Sequence, residues 1–296
     1  MIIDAHHHIW DPDSGDYPWM TGEAASLKRV FSPTDLRTAL QGTDVTATVL
    51  VQTWHSLEET RDFLRTAAAT DLIAGVVGWI DLTDPAVADT IDALQEGPHG
   101  EYLVGLRHLV HDEPDADWLL RPDVRRGLAA VQAAGLTYDL LVRPRELPAA
   151  IATVRAFPGL RFVVDHIAKP DIKSRTIEPW RSLMRQFREH RNHVWCKLSG
   201  MATESDRQHW QSPDLAPYIA TALEVFDPDR CMYGSDWPVS NLAGPYPRIL
   251  KALQANLEAL TEQERADVFA HSAITAYRLV LSESQRAATR QGVAPP

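Results

Sequence analysis

The chain has 296 residues, long for an average domain yet within the range of a single α/β barrel. Asp and Glu outnumber Lys and Arg by 40 to 29, the formal net charge is −11, and no basic block appears. This excludes nucleic acid and anionic membrane surfaces as partners, because both require clustered positive charge.

In chain order, the opening MIIDAHHHIW reads as a strand with a histidine run fused into it. A purification tag would be longer and set off by linker residues, so the run belongs to the fold. Asp11 to Ser32 is a long, aromatic-containing connection that in a barrel would cap the mouth. β-Branched runs follow at TATVLVQT from Thr46, AGVVGWID from Ala74, YLVGLRHL from Tyr102 and TYDLLV from Thr137. Three more, RFVVDHI from Arg161, HVWCKLSG from His193 and RCMYGSDW from Arg230, bring the strands to eight.

The intervening segments carry helix punctuation. Ser56-Leu57-Glu58-Glu59 has the form of a capping box. Pro85 and Pro122 sit near first turns, and Gly97 and Gly135 are candidates for left-handed stops. Strand followed by helix, repeated without hairpin turns, needs parallel pairing through crossovers. The expectation is an α/β fold, one distorted (β/α)8 TIM barrel over residues 1–281, with a fraying tail over 282–296 where apolar periodicity is lost.

Cys196 and Cys231 form no CxxC pair, so neither a disulfide framework nor a zinc-thiolate site is indicated, and both read as buried side chains. No cationic leader with an apolar stretch opens the chain and no apolar run is long enough to span a bilayer, which leads to the expectation of a cytoplasmic protein. A homo-oligomer is compatible with the sequence and not specified by it.

Side chains alternate along a strand, so His6 and His8 share one face and His7 takes the other. Asp4 should lie on the His6 face but deeper, in a buried hydrogen bond or ion pair. The C-terminal strand ends of a barrel hold its chemistry. The sixth predicted strand ends at His166 and the eighth at Asp236, so three histidines and an aspartate can converge there. Neutral imidazoles with a carboxylate suit a divalent ion, zinc above all, and its activated water.

DAHHHIW has the D-x-H-x-H opening of the amidohydrolase superfamily. With VVDHIAKP, CKLSGM and YGSDWP the chain resembles the amidohydrolase family 2 branch. Through YPWM, VQTWHSLEET and GLRHLVHDEP it is similar, within that branch, to sugar lactone hydrolases of the L-fuconolactonase and L-rhamnonolactonase type. The resemblance implies that His6, His8, His166 and Asp236 form the hydrolytic centre of a lactonase and its metal site. Asp236 would be the general base, and the histidines would hold one metal or polarise the lactone carbonyl. The bridging lysine of two-metal members has no counterpart in YLVGLRHL or TYDLLVRP, so one dispensable ion is expected rather than two. Without an ion, polarisation would fall to a protonated histidine, Arg107 or Lys197.

Arg107 and Lys197 are the expected cations of a substrate pocket, and Trp19, Trp79, Trp237 and His108 its aromatic mouth, suited to the apolar face of a sugar ring. The alternatives on this scaffold are hydrolysis of a pyrone dicarboxylate or muconolactone, metal-dependent decarboxylation, and passive sugar binding.

Overall fold

The structure, a computed structural model, describes residues 1–287 apart from Asp16 and Pro18. Its sheet runs in sequence order through β1 (Ile2–His7), β2 (Val45–Val51), β3 (Ile73–Gly78), β4 (Leu103–His108), β5 (Thr137–Leu140), β6 (Arg161–Val164), β7 (Val194–Leu198) and β8 (Cys231–Tyr233). Every neighbouring pair is parallel. β-Branched runs suit this arrangement because both faces of a parallel barrel are buried. The ring closes beyond the end of β8: His7 bridges Trp237, His8 N donates to Trp237 O at 2.7 Å, and Asp236 N to His6 O at 2.8 Å. This late closure is the distortion of the barrel, and it sets Asp236 beside β1.

Apolar side chains sort into two layers. Ile2, Leu50, Val76, Leu106 and Leu140 pack outward under the helices. Ile3, Val49, Val77, Val163 and Met232 fill the interior, together with Ala273, Ala276 and Tyr277 of the helix Ser272–Tyr277. That helix plugs the N-terminal end, where Thr137 Oγ1 and Arg161 Nε donate to Ala276 O at 2.7 and 3.0 Å.

Local signals are partly realised. Ser56 caps the helix Leu57–Ala68 by accepting from Glu59 N at 3.1 Å. The Glu59 carboxylate does not return to Ser56; it accepts from Thr53 N at 2.9 Å and Trp54 N at 3.4 Å, tying down the loop after β2. Pro122 opens the helix Pro122–Ala133, and Gly135 beyond it has φ +72°. Gly97, by contrast, ends its helix at φ −76°, so no left-handed stop is made there. The tail begins as a short helix, Glu283–Ala287, and Gln285 Nε2 donates to Asp71 O at 2.9 Å; residues 288–296 lie outside the described residues. Among the described residues no helix is long and apolar enough to cross a membrane.

Alternation along β1 is broken. Its register against β2 slips between Asp4 and His7. Ile3 and Ala5 therefore face inward, as do His6 and His8, while Asp4 turns outward to Tyr246 Oη at 2.8 Å and to Ser235 N and Oγ at 2.8 and 2.6 Å. The expectation that Asp4 shares the His6 face is corrected by this bulge. His7 faces away from the mouth, its Nε2 2.9 Å from Thr48 Oγ1.

Above its apolar layers the interior becomes ionic. Lys197 Nζ lies 2.6 Å from Asp139 Oδ2 and 2.9 Å from Asp165 Oδ1, while Arg107 Nη1 lies 3.0 Å from Asp165 Oδ2. Tyr277 Oη donates to Asp139 Oδ2 at 2.8 Å. Lys197, expected to face substrate, is instead wholly buried between two carboxylates. Replacing it by Met leaves Asp139 without a cation and takes from Asp165 one of its two, and a buried charge without its partner recovers none of its lost hydration. Lys197→Met should therefore lower unfolding stability by about 3–5 kcal/mol in urea titrations. An unchanged midpoint would show that the two carboxylates do not depend on it.

Candidate active site

Four side chains meet at the C-terminal mouth, brought there by three local devices. His6 and His8 lie on the inward face of β1 and the residue beyond it, with Nε2 atoms 3.2 Å apart. Asp236 follows β8 with φ +58°. Its Oδ1 lies 3.5 Å from His8 Nε2 and 3.9 Å from both His6 Nε2 and His166 Nε2. Gly234 permits this approach, since a Cβ there would stand 2.8 Å from that of His6.

His166 is not at the end of a strand. β6 stops at Val164, and His166, Ile167, Ala168 and Lys169 follow with φ of 53°, 48°, 59° and 47°, one turn of left-handed helix built from non-glycine residues. Such residues cost roughly 1–2 kcal/mol each and persist where their surroundings over-determine them. Here Trp180 Nε1 donates to Ile167 O at 2.7 Å, Lys169 N to His166 O at 2.8 Å, and His166 Nδ1 lies 2.8 Å from Ser199 Oγ. Gly200, at φ +65°, leaves room for the His166 ring, which a Cβ would meet at 2.7 Å.

The electrostatics favour neutral imidazoles beside an ionised carboxylate. Burial, then the Lys197 charge, hold His6 well below its ordinary value, and burial pulls His166 down to about 3. Burial pushes Asp236 up, but His166, the His8 hydrogen bond and Lys169 outweigh it and leave the carboxyl below the usual range. His8 Nδ1 lies 2.8 Å from Val51 O, a backbone acceptor, which turns its Nε2 toward the site. His166 likewise turns Nε2 toward Asp236.

His6, His166 and Asp236 offer ligand atoms within 4.8 Å of one another, and imidazole nitrogen with carboxylate oxygen suits zinc. The donor set fits one divalent ion. One group competes for the same atom: Arg107 Nη1, which can only donate, lies 3.2 Å from His6 Nε2.

His8, His166 and Asp236 line a cavity of about 270 Å³, and His6 lies fully buried behind them. Arg107 and Trp19 line it as expected, with Trp10 beside them, so part of the Asp11–Ser32 connection covers the mouth; Asp16 and Pro18 within it lie outside the described residues. Besides Lys197, three expected pocket residues do not line it. Trp237 is buried edge-on against Phe31 at 5.4 Å. Trp79 Nε1 donates to His108 Nδ1 at 3.1 Å, and His108 is sandwiched between His55 and Trp118 at 4.2 and 4.1 Å. His108 Nε2 is thereby the protonated nitrogen, donating to Glu113 at 2.7 Å. Stacking removes both rings from the cavity wall.

The wall also holds Lys169, Arg143 and His111. Burial, with the Lys169 and Arg143 charges, pushes His111 down to about 2. Lys169 carried a sequence signal only through its place three residues after His166; nothing in a strand pattern announces a left-handed turn.

The sequence profile of the amidohydrolase family matches residues 3–279. The L-fucono-1,5-lactonase of Burkholderia ambifaria is 39% identical over 247 residues, 82% of each chain. The L-fucono-1,5-lactonase of Burkholderia multivorans is 33% identical over 94% of this chain and 96% of its own. A crystal structure of an amidohydrolase from Burkholderia multivorans with bound zinc superimposes with a TM-score of 0.89 at 33% identity, covering 95% of this chain and 100% of that one. A single barrel with these four residues at its mouth, matched almost from end to end, places the protein in the amidohydrolase family.

Proposed function

We propose that the protein hydrolyses a sugar lactone, adding water to the ring carbonyl and releasing an open-chain hydroxy acid. The observation that carries this reading is the likeness over most of the chain to two relatives named L-fucono-1,5-lactonase, joined to a mouth where a buried carboxylate and a buried guanidinium face one small cavity.

In the proposed mechanism Asp236 takes a proton from water as the oxygen bonds to the carbonyl carbon. The carbonyl π electrons move to oxygen, where the positive charge of the Arg107 guanidinium stabilises the growing negative charge. When the ring C–O bond breaks, Asp236 returns its proton to the leaving alkoxide and the product departs as a carboxylic acid that ionises. His6 and His166 are held neutral, which leaves them as acceptors or ligands rather than proton donors. Lys197 lies below the site, bound to Asp139 and Asp165, and acts on His6 rather than on substrate. A divalent ion held by His6, His8, His166 and Asp236 would supply Lewis-acid polarisation at the same place.

Asp236→Asn keeps the size of the side chain and removes the base. Its turnover on L-fuconolactone, the first member of a sugar-lactone panel, should fall by about a hundredfold or more, with the melting curve little changed. His7→Gln, on the other face of β1, should lose stability and keep its turnover. A near-normal rate for Asp236→Asn, or a catalytic collapse in well-folded His7→Gln, would refute the assignment of the base or of the face.

One zinc per chain should bind, and metal-stripped protein should retain turnover within about tenfold of the loaded form because Arg107 already supplies a cationic donor. Arg107→Met should cost about a hundredfold or more in both forms. Activity abolished by chelation and restored by zinc alone would assign polarisation to the ion instead.

A further inference from the structure

Three charged side chains at the cavity rim, Lys169, Arg143 and Glu204, take no step in the reaction described above. Lys169 and Arg143 line the cavity that holds His8, His166 and Asp236. Both are held by one carboxylate behind the wall: Lys169 Nζ lies 2.6 Å from Glu204 Oε1, and Arg143 Nη1 3.7 Å from Glu204 Oε2. The Lys169 and Glu204 side chains are only 13% and 18% exposed, so this pair is weakly screened, whereas Arg143 is 49% exposed. Arg107, the remaining cation of the wall, is already paired with Asp165.

We propose that Glu204 masks Lys169 and Arg143, so that the pocket selects neutral polyhydroxylated lactones and rejects lactones bearing a carboxylate. The proposal rests on the reading of the protein as a lactone hydrolase and names the charge class of its substrate.

A carboxylate substituent entering this pocket must shed water, and the two cations that would replace that water already hold a carboxylate of the protein. Its desolvation is then poorly compensated. A neutral sugar asks for less: Lys169 and Arg143 retain donor hydrogens toward the cavity, which hydroxyl oxygens can accept without displacing Glu204. The left-handed turn fixes where the Lys169 side chain starts, because Lys169 is carried on the same four residues as His166. Glu204 is anchored on its own side, its backbone N donating to Met201 O at 3.2 Å and its carbonyl accepting from Lys173 N at 3.0 Å.

The test compares an aldono-lactone with the aldaro-lactone of the same ring, which differ only in a terminal carbinol oxidised to carboxylate. The parent protein should favour the neutral lactone in kcat/KM. Glu204→Gln keeps the shape and removes the masking charge, and should raise the ratio of anionic to neutral kcat/KM by about tenfold or more. Adding Lys169→Met to that variant should erase the gain. A ratio that stays level or falls in folded Glu204→Gln, or a gain that survives Lys169→Met, overturns the proposal. Should Glu204→Gln fail to fold, Arg143→Gln at its half-exposed position reads the same device: a cation already masked lends nothing to a substrate carboxylate, so the ratio should stay level, and a fall of about tenfold or more overturns the proposal. Calorimetric titration with the open-chain aldarate dianion needs no turnover, and tighter binding to Glu204→Gln than to the parent is expected. If the parent opens neither lactone, the lactone reading fails, while the titration still decides whether Glu204 masks the cations.

Discussion

Two carboxylates that never meet solvent, Asp139 and Asp165, set the geometry of everything above them. Burial pushes Asp139 up to about 6, and the neighbouring Asp165 charge adds to this despite Lys197; Asp165, burial notwithstanding, is held well below its ordinary value by Lys197, His6 and Arg107. Lys197 and Arg107 balance the pair, and His6 sits between the two cations, its Nδ1 3.1 Å from Lys197 Nζ and its Nε2 3.2 Å from Arg107 Nη1. A ring flanked this way is strongly disfavoured as imidazolium. Thus the same ions that complete the barrel interior fix the protonation state of a residue at the mouth.

This has a bearing on which group can polarise a carbonyl. Lys197 is committed to two carboxylates beneath the site, and His6 and His166 are held neutral by burial and nearby cations. Arg107 alone of the sequence-predicted cations both belongs to the ionic set and reaches the cavity. It offers a fixed positive charge at the atom where a metal would otherwise bind, so a protein site and a metal site overlap on His6 Nε2.

Strain is concentrated at the other side of the mouth. The left-handed turn from His166 to Lys169 is entirely non-glycine, and its hydrogen bonds come from Trp180, Ser199 and the turn's own backbone. The four residues held in this disfavoured region carry an imidazole toward Asp236 and an ammonium toward the cavity rim. Gly200 and Gly234 serve the same end by absence of a side chain, each leaving space that a histidine occupies.

Much of this was legible in the sequence, and the division follows from the range of the interactions. β-Branched runs separated by helical stretches determined eight parallel strands, and strand alternation with chain direction brought His6, His8, His166 and Asp236 to one end, because those rules depend only on near neighbours. The bulge that turns Asp4 outward, the left-handed turn that presents His166 and Lys169, and the stacking that withdraws Trp79 and His108 from the wall were decided by tertiary structure alone. So was the fate of Lys197. A lysine in a strand reads the same whether it meets a ligand or two carboxylates, and Asp139, Asp165 and Lys197 become one group only when β5, β6 and β7 pair side by side and turn these residues toward one point inside the barrel. Electrostatic partners are chosen by distance in space, and a linear pattern carries no record of it.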